Sequence, residues 1–227
     1  VLILPAARWL SHGAHKVQAA SHAPHAHEPM ARVVRQAFRN RNYILLHLGF
    51  ATCGFHVAFL ATHLPNEIAL CGLPVSVAST SLAIVGIANL VGSLVVGWCV
   101  GRWRNKSILA VLYAVRVVLI AAYLFMPRTD VNFYIFAAGL GLTWLATVPP
   151  TAALTGRLFG TRYLATLFGL TLLSHQIGGF LGAYLGGKAI MAFNDYGWMW
   201  HADLVLAALA VVLHLMIREP NIQTQAS

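Results

Sequence analysis

VSVASTSLAIVGIANLVGSLVVGWCV, Val75–Val100, carries no charged side chain along its whole length. A bilayer hydrocarbon core about 30 Å thick is crossed by roughly 20 helical residues, and this run exceeds that. Lipid offers no water to unpaired backbone groups, so the stretch is expected to be an α-helix. Five further apolar stretches follow the same rule, at 42–63, 107–126, 131–154, 163–191 and 201–217. The expected fold class is therefore an all-α membrane protein with six transmembrane helices.

Composition excludes the other broad classes. Hydrophobic residues make up 59% of the chain and charged residues 9%, which fits neither a soluble domain nor a disordered chain. The net charge of +9 invites a nucleic-acid reading. The basic residues instead sit at the ends of apolar stretches rather than along one solvated face, so no nucleic-acid partner is expected. Cys53, Cys71 and Cys99 are unclustered. They form no disulfide framework and no metal-ligand spacing, and are read as small buried residues.

The chain opens on Val1-Leu2-Ile3-Leu4-Pro5-Ala6-Ala7. That run is too short to span and has no basic residues before it, so it is not a signal peptide. It reads as the tail of a preceding helix at 1–10, which makes the chain the back part of a longer membrane protein. A basic linker at 11–41 follows, then the bundle at 42–217 and a tail at 218–227. The linker holds His12, His15, His22, His25 and His27 among Ala, Ser and Pro. Its spacing imposes no fixed coordination geometry, so a solvated connector is expected and no metal site.

Basic residues set the orientation. Arg8, Lys16, Arg32, Arg35, Arg39, Arg41, Arg102, Arg104, Lys106, Arg157, Arg162 and Arg218 fall on one side if the six stretches thread the membrane in turn. Arg128 and Lys188 fall on the other. The positive-inside rule puts the linker and the C-terminus in the cytoplasm of a multi-pass inner-membrane protein. Tyr196, Trp198 and Trp200 are expected at the opposite interface as an aromatic belt.

After Val100 the chain passes through a short signature. Gly97-Trp98-Cys99-Val100-Gly101-Arg102-Trp103-Arg104-Asn105-Lys106 resembles the loop motif of the major facilitator superfamily, Gly-x-x-x-Asp-Arg-x-Gly-Arg-Arg, in its second-half copy. Gly97, Arg102 and Lys106 fit it. Gly101 stands where the family carries Asp, and Arg104 where it carries Gly. Gly141-Leu142-Thr143-Trp144-Leu145-Ala146-Thr147-Val148-Pro149-Pro150, then Leu158-Phe159-Gly160-Thr161-Arg162-Tyr163, Phe168-Gly169 and Ser174-His175-Gln176-Ile177-Gly178-Gly179 are similar to bacterial carriers of the oxalate/formate and monocarboxylate branch. The resemblance covers roughly residues 40–219. It implies helices seven to twelve of a twelve-helix carrier, one half of the facilitator fold. It also implies an N-terminal six-helix half as partner, the bilayer as surroundings and a small solute as cargo.

Two halves of such a fold rock about a central site near the midplane. Gly178, Gly182 and Gly186 recur every four residues, with Gly179, Ala183 and Gly187 as a parallel row. Small residues at that spacing let helix backbones approach closely in lipid. They suit static packing within this half and a sliding contact against the other half equally. Pro149 and Pro150 lie deep in the fourth stretch, where proline removes a backbone donor and kinks the helix. A kink beside Thr147 and Thr151 bares carbonyls, either as a gate toward a water-filled site or as a fixed bend.

Arg116 lies near the centre of the third stretch. An arginine there costs at least ~2.5 kcal/mol on insertion scales, so it needs compensation. Backbone carbonyls, a carboxylate in the other half and an anionic solute all qualify. No Asp or Glu occupies the middle of any stretch, and Asp203 is placed at the non-cytoplasmic end of the last. The resemblance maps the third stretch to a peripheral helix, which favours a structural ion pair or carbonyl contact.

The remaining polar candidates are His56, His175, Gln176, Asn89, Thr147 and Tyr184. His56 falls at mid-depth on the helix that the resemblance makes cavity-lining. An imidazole there can carry a proton or hydrogen-bond a carboxylate. His47 is read as bonded to a neighbouring helix carbonyl. Arg, His and Gln without an acid suit an organic anion better than a cation.

The expected function is secondary active transport of a small organic solute by alternating access, driven by proton or anion exchange. No phosphate-binding Gly-x-x-x-x-Gly-Lys-Ser/Thr loop occurs, so ATP hydrolysis is not expected. Neither an enzyme activity nor a cofactor is expected. Two alternatives stay open: an inactive fragment of a truncated gene, and a membrane redox protein holding haem between His56 and His175.

Overall fold

A computed structural model describes residues 29–220. The chain divides into two units, Val1–Val33 and Val34–Ser227, and the architecture below is that of the second. The helix tail read at 1–10, the histidine tract and the last seven residues lie outside the described residues.

The elements in order are α1 (Met30–Ala37), α2 (Arg41–Leu70), α3 (Val75–Val100), α4 (Asn105–Phe125), α5 (Asp130–Thr143), α6 (Val148–Phe159), α7 (Leu164–Phe193) and α8 (Gly197–Met216). The protein is an all-α membrane protein. With α5 and α6 taken as one crossing, six segments are long and apolar enough to span a bilayer.

Local sequence sets the helix ends. Asn40 caps α2, its side chain accepting from the Asn42 amide at 2.9 Å, a bond that satisfies one of the orphan donors of a first turn. Gly72 and Gly160 take φ of +75° and +78° after α2 and α6, where a side chain would be strained. Asn194 ends α7 in the left-handed region at φ 55°, which Asn tolerates better than most residues.

Packing follows the small residues. The broadest contacts join α2 to α7, α3 to α5, α4 to α8 and α2 to α8. Between helices in lipid there is little hydrophobic drive, so close van der Waals fit has to hold them. A β-carbon on Gly178 would stand 1.9 Å from the Ala51 carbonyl oxygen, and one on Gly182 2.3 Å from that of Phe55. One on Gly186 would meet the His63 ring at 2.3 Å. The glycine row of α7 therefore packs on α2, inside this bundle. Gly187 of the parallel row has open space around it. Gly92 and Gly141 make the same close approach between α3 and α5.

Burial is uneven. Of the most apolar window of each span, 67% is buried in α2 but only 17% in α3 and 22% in α7. Thus α2 is the central helix, and α3 and α7 present their apolar faces outward through Ile87, Leu90, Leu94, Ile177 and Phe180.

Several expectations need correction. The first span does not end at His63: α2 continues through Pro65 to Leu70. Its last turns are held by His63, which contacts the Tyr196 hydroxyl, and by Glu67, which accepts from the Tyr123 hydroxyl at 2.5 Å. Of the three aromatic residues expected as a belt, two turn inward. Tyr196 and Trp200 are each 2% exposed, packed with Phe59, Tyr123 and Phe136, and only Trp198 faces out. Of the cysteines, Cys53 alone is fully buried. The fourth span is interrupted outright rather than kinked.

Candidate functional site at the interrupted fourth span

Residues 144–147 separate α5 from α6. The cause lies just downstream. Pro149 and Pro150 have no amide proton, so the carbonyls of Leu145 and Ala146 lose their helical donors. The prolines sit instead in the first turn of a new helix, α6, where a missing N–H costs nothing. The Thr143 and Trp144 carbonyls are left without intrahelical partners and must find others.

Arg116 supplies them. Its Nη2 donates to the Trp144 carbonyl at 2.8 Å and to that of Thr143 at shorter range. Nη1 reaches Cys53 Sγ at 3.2 Å and Nε the Thr143 hydroxyl at 3.4 Å. The guanidinium also lies 5.2 Å over the Tyr113 ring. Arg116 is 1% exposed. Carbonyls thus compensate the intramembrane cation, one of the options left open by its position.

Asn89 on α3 closes the other side of the break, its Oδ1 accepting from the Leu145 amide at 3.0 Å. The Thr147 hydroxyl stands 3.3 Å from Cys53 Sγ, and its carbonyl accepts from the Thr151 hydroxyl at 2.7 Å. Five residues singled out in the sequence, Arg116, Asn89, Thr147, Pro149 and Pro150, therefore meet at one place.

His56 joins them from α2. Its Nδ1 lies 2.6 Å from Asp203 Oδ2, with side chains 3% and 1% exposed, and its ring centre is 6.3 Å from that of Trp144. His56 Nε2 and Asp203 Oδ1 have no hydrogen-bond partner among the described residues. Sequence reading put Asp203 at the membrane boundary. Because α8 starts at Gly197, Asp203 lies more than a turn deeper in its helix than that reading allowed.

Gln176 and Tyr184 stand apart from the break, whereas His175 neighbours Cys53. His175 and Gln176 contact each other at 3.3 Å on α7, half-buried and exposed respectively, with Phe50 4.9 Å from the imidazole. Tyr184, 50% exposed, stacks on Phe180 and has Lys188 Nζ 5.8 Å from its ring. His47 meets the Ser174 hydroxyl rather than a carbonyl.

In the loop motif, Gly97 has open space, Arg102 donates to the Trp98 carbonyl at 2.8 Å, and Lys106 Nζ donates to the carbonyls of Leu215 and Ile217. The carboxylate at this loop is Glu219. It accepts from the amides of Asn105 and Lys106 at 3.0 Å each and from Arg157 Nη1 at 2.5 Å. Neither Glu219 nor the bonding roles of Cys53 and Thr143 was visible in the sequence. A Glu two residues past an apolar span was the one available signal.

A six-span helical bundle whose fourth crossing is broken and braced by buried polar groups is a polytopic membrane protein. The chain is a member of the Major Facilitator Superfamily, whose family model matches residues 1–183. It is 27% identical over 210 residues to the uncharacterized MFS-type transporter YcxA of Bacillus subtilis (strain 168), covering 86% of this chain and 50% of that protein. It is also 27% identical over 146 residues to the uncharacterized MFS-type transporter YhjX of Escherichia coli (strain K12), covering 63% and 36%. The chain spans about half the length of the curated relatives it matches.

Proposed function

We propose that this bundle is the C-terminal lobe of a secondary active transporter that moves a small organic anion by alternating access. The carrying observation is the interrupted fourth span with a buried cation at the break. Discontinuous helices with unpaired backbone groups are how transporters of this general kind build sites at mid-membrane. The match to half of a relative's length supports a second six-helix lobe completing the cavity.

In this reading Arg116 fastens the break, since its donors are already engaged. His175, Gln176 and Tyr184, on the more open face of α7, are the groups offered to the solute. His56 with Asp203 is the titratable pair beside the break. The Arg, His and Gln side chains within the spans and the similarity to oxalate/formate and monocarboxylate carriers favour a mono- or dicarboxylate. The side-to-side asymmetry of basic residues supports an inner-membrane location with the linker and C-terminus cytoplasmic.

The test is uptake into proteoliposomes holding the complete carrier, with a panel of labelled mono- and dicarboxylates, an amine and a neutral sugar. Saturable, ATP-independent exchange of one or more of the acids is expected. Exchange of only the amine or the sugar would refute the anion assignment.

A further inference from the structure

We propose that the loop end of the α3–α4 hairpin binds an anionic glycerophospholipid, its headgroup on Arg102 and Arg104 and an acyl chain in the groove beneath. The inference is independent of the transported solute.

The groove has a volume of about 470 Å³ and is lined by Val96, Cys99, Trp103, Ile108, Val111 and Leu112, with Arg104 and Ser107 at the same site. Its wall is apolar for most of its length, and Val111 is 61% exposed. It lies where α3, a fully apolar span, ends. That end reaches the level of lipid headgroups in any bilayer the span crosses.

Two tryptophans mark the same level. Trp98 and Trp103 are each 54% exposed and meet edge to face, ring centres 5.6 Å apart. Tryptophan concentrates at the membrane interface, where one side of the ring is apolar and the other wet. Arg102 lies 3.9 Å over the Trp98 ring, which in turn meets Trp103 of the groove wall.

Charge balance selects the headgroup. Arg104 Nη2 donates to the backbone carbonyl of Glu219, and Lys106 Nζ to two backbone carbonyls. Arg102 donates to a backbone carbonyl as well. None of these three contacts cancels a charge. The one carboxylate here among the described residues, Glu219, is paired with Arg157 and accepts two backbone amides. Among the described residues, Arg102, Arg104 and Lys106 thus have no carboxylate partner here. An apolar channel capped by uncompensated cations at headgroup depth fits a lipid phosphate carrying net negative charge, as in phosphatidylglycerol, better than a zwitterion.

The experiment places the complete carrier in phosphatidylcholine nanodiscs. These contain a small, equal fraction of acyl-brominated phosphatidylglycerol or acyl-brominated phosphatidylcholine. The Trp103 signal is the wild-type emission minus that of Trp103→Phe. Phosphatidylglycerol should quench it at a mole fraction at least about fivefold lower, the effect of one basic residue near an anionic surface.

The preference should vanish in Arg102→Gln/Arg104→Gln and persist in Lys188→Gln, whose cation lies elsewhere on α7. If the double variant does not fold, wild-type protein at high salt serves instead, because screening weakens an exposed electrostatic preference. Equal quenching by the two lipids would overturn the proposal. So would a phosphatidylglycerol preference that survives both the double substitution and high salt.

Discussion

Arg116 and Trp144 are joined at 2.8 Å from guanidinium to carbonyl. That bond ties α4 to the first residue of the gap between α5 and α6. An unpaired buried carbonyl costs about 1–3 kcal/mol, and Arg116 serves two of them. Lysine keeps the charge but lacks the planar fork that reaches several acceptors at once. Arg116→Lys is therefore expected to lose about 2 kcal/mol of stability or more, read as a lower thermal midpoint in detergent. An unchanged midpoint would remove Arg116 as the brace.

The α2–α7 seam makes a paired prediction. Gly178→Ala and Gly182→Ala put a methyl group into backbone oxygens of α2, and overpacking of this kind costs about 1–3 kcal/mol. Gly187→Ala meets nothing within 4 Å and should be neutral or slightly stabilising, since alanine favours a helix over glycine. Thermal unfolding of the three variants checks the order. Equal effects at Gly182 and Gly187 would contradict the seam.

His56 and Asp203 should behave as one unit. Removing one partner of a buried pair leaves the other uncompensated, at a cost of about 3–5 kcal/mol. His56→Gln and Asp203→Asn singly are each expected to destabilise strongly. The double variant should cost less than their sum, with a coupling energy of about 0.5–3 kcal/mol. A double-mutant cycle on unfolding midpoints measures it, and strict additivity would mean that the two side chains do not interact.

Native cysteines report the threading. Cys71 follows α2 and Cys99 lies at the far end of α3, so an impermeant maleimide should reach them from opposite sides of the membrane. Burial, with Glu67 adding to it, raises the Cys71 thiol above its ordinary pKa despite the opposing field of Arg128. The thiolate is the reacting form. Labelling of Cys71 should therefore keep accelerating as pH rises past the range in which an ordinary thiol has already ionised. Labelling of both residues from one face would break the six-crossing topology.

The crossings were legible because a bilayer imposes one length and one polarity on every span. Val75–Val100 has the bounds in the structure that its sequence announced. The proline pair announced a kink, not an outright break. Proline is compatible with a first helical turn, so the gap falls before Pro149 rather than around it. Asn89 and Arg116 stood out as polar groups in apolar runs, yet their target, a stretch of bare backbone, leaves no mark in side-chain chemistry. Asp203 met His56 across 147 positions, a relation fixed by the rotation of two helices about their axes. Glu219 was hidden for a similar reason, since its partners lie more than sixty positions away.

Uptake of a labelled organic anion by the complete carrier with Arg116→Gln, its membrane insertion verified, tests the central claim most directly. If the braced break shapes the transport site, uptake falls to background while the protein still inserts. Wild-type uptake kinetics in that variant would contradict the account.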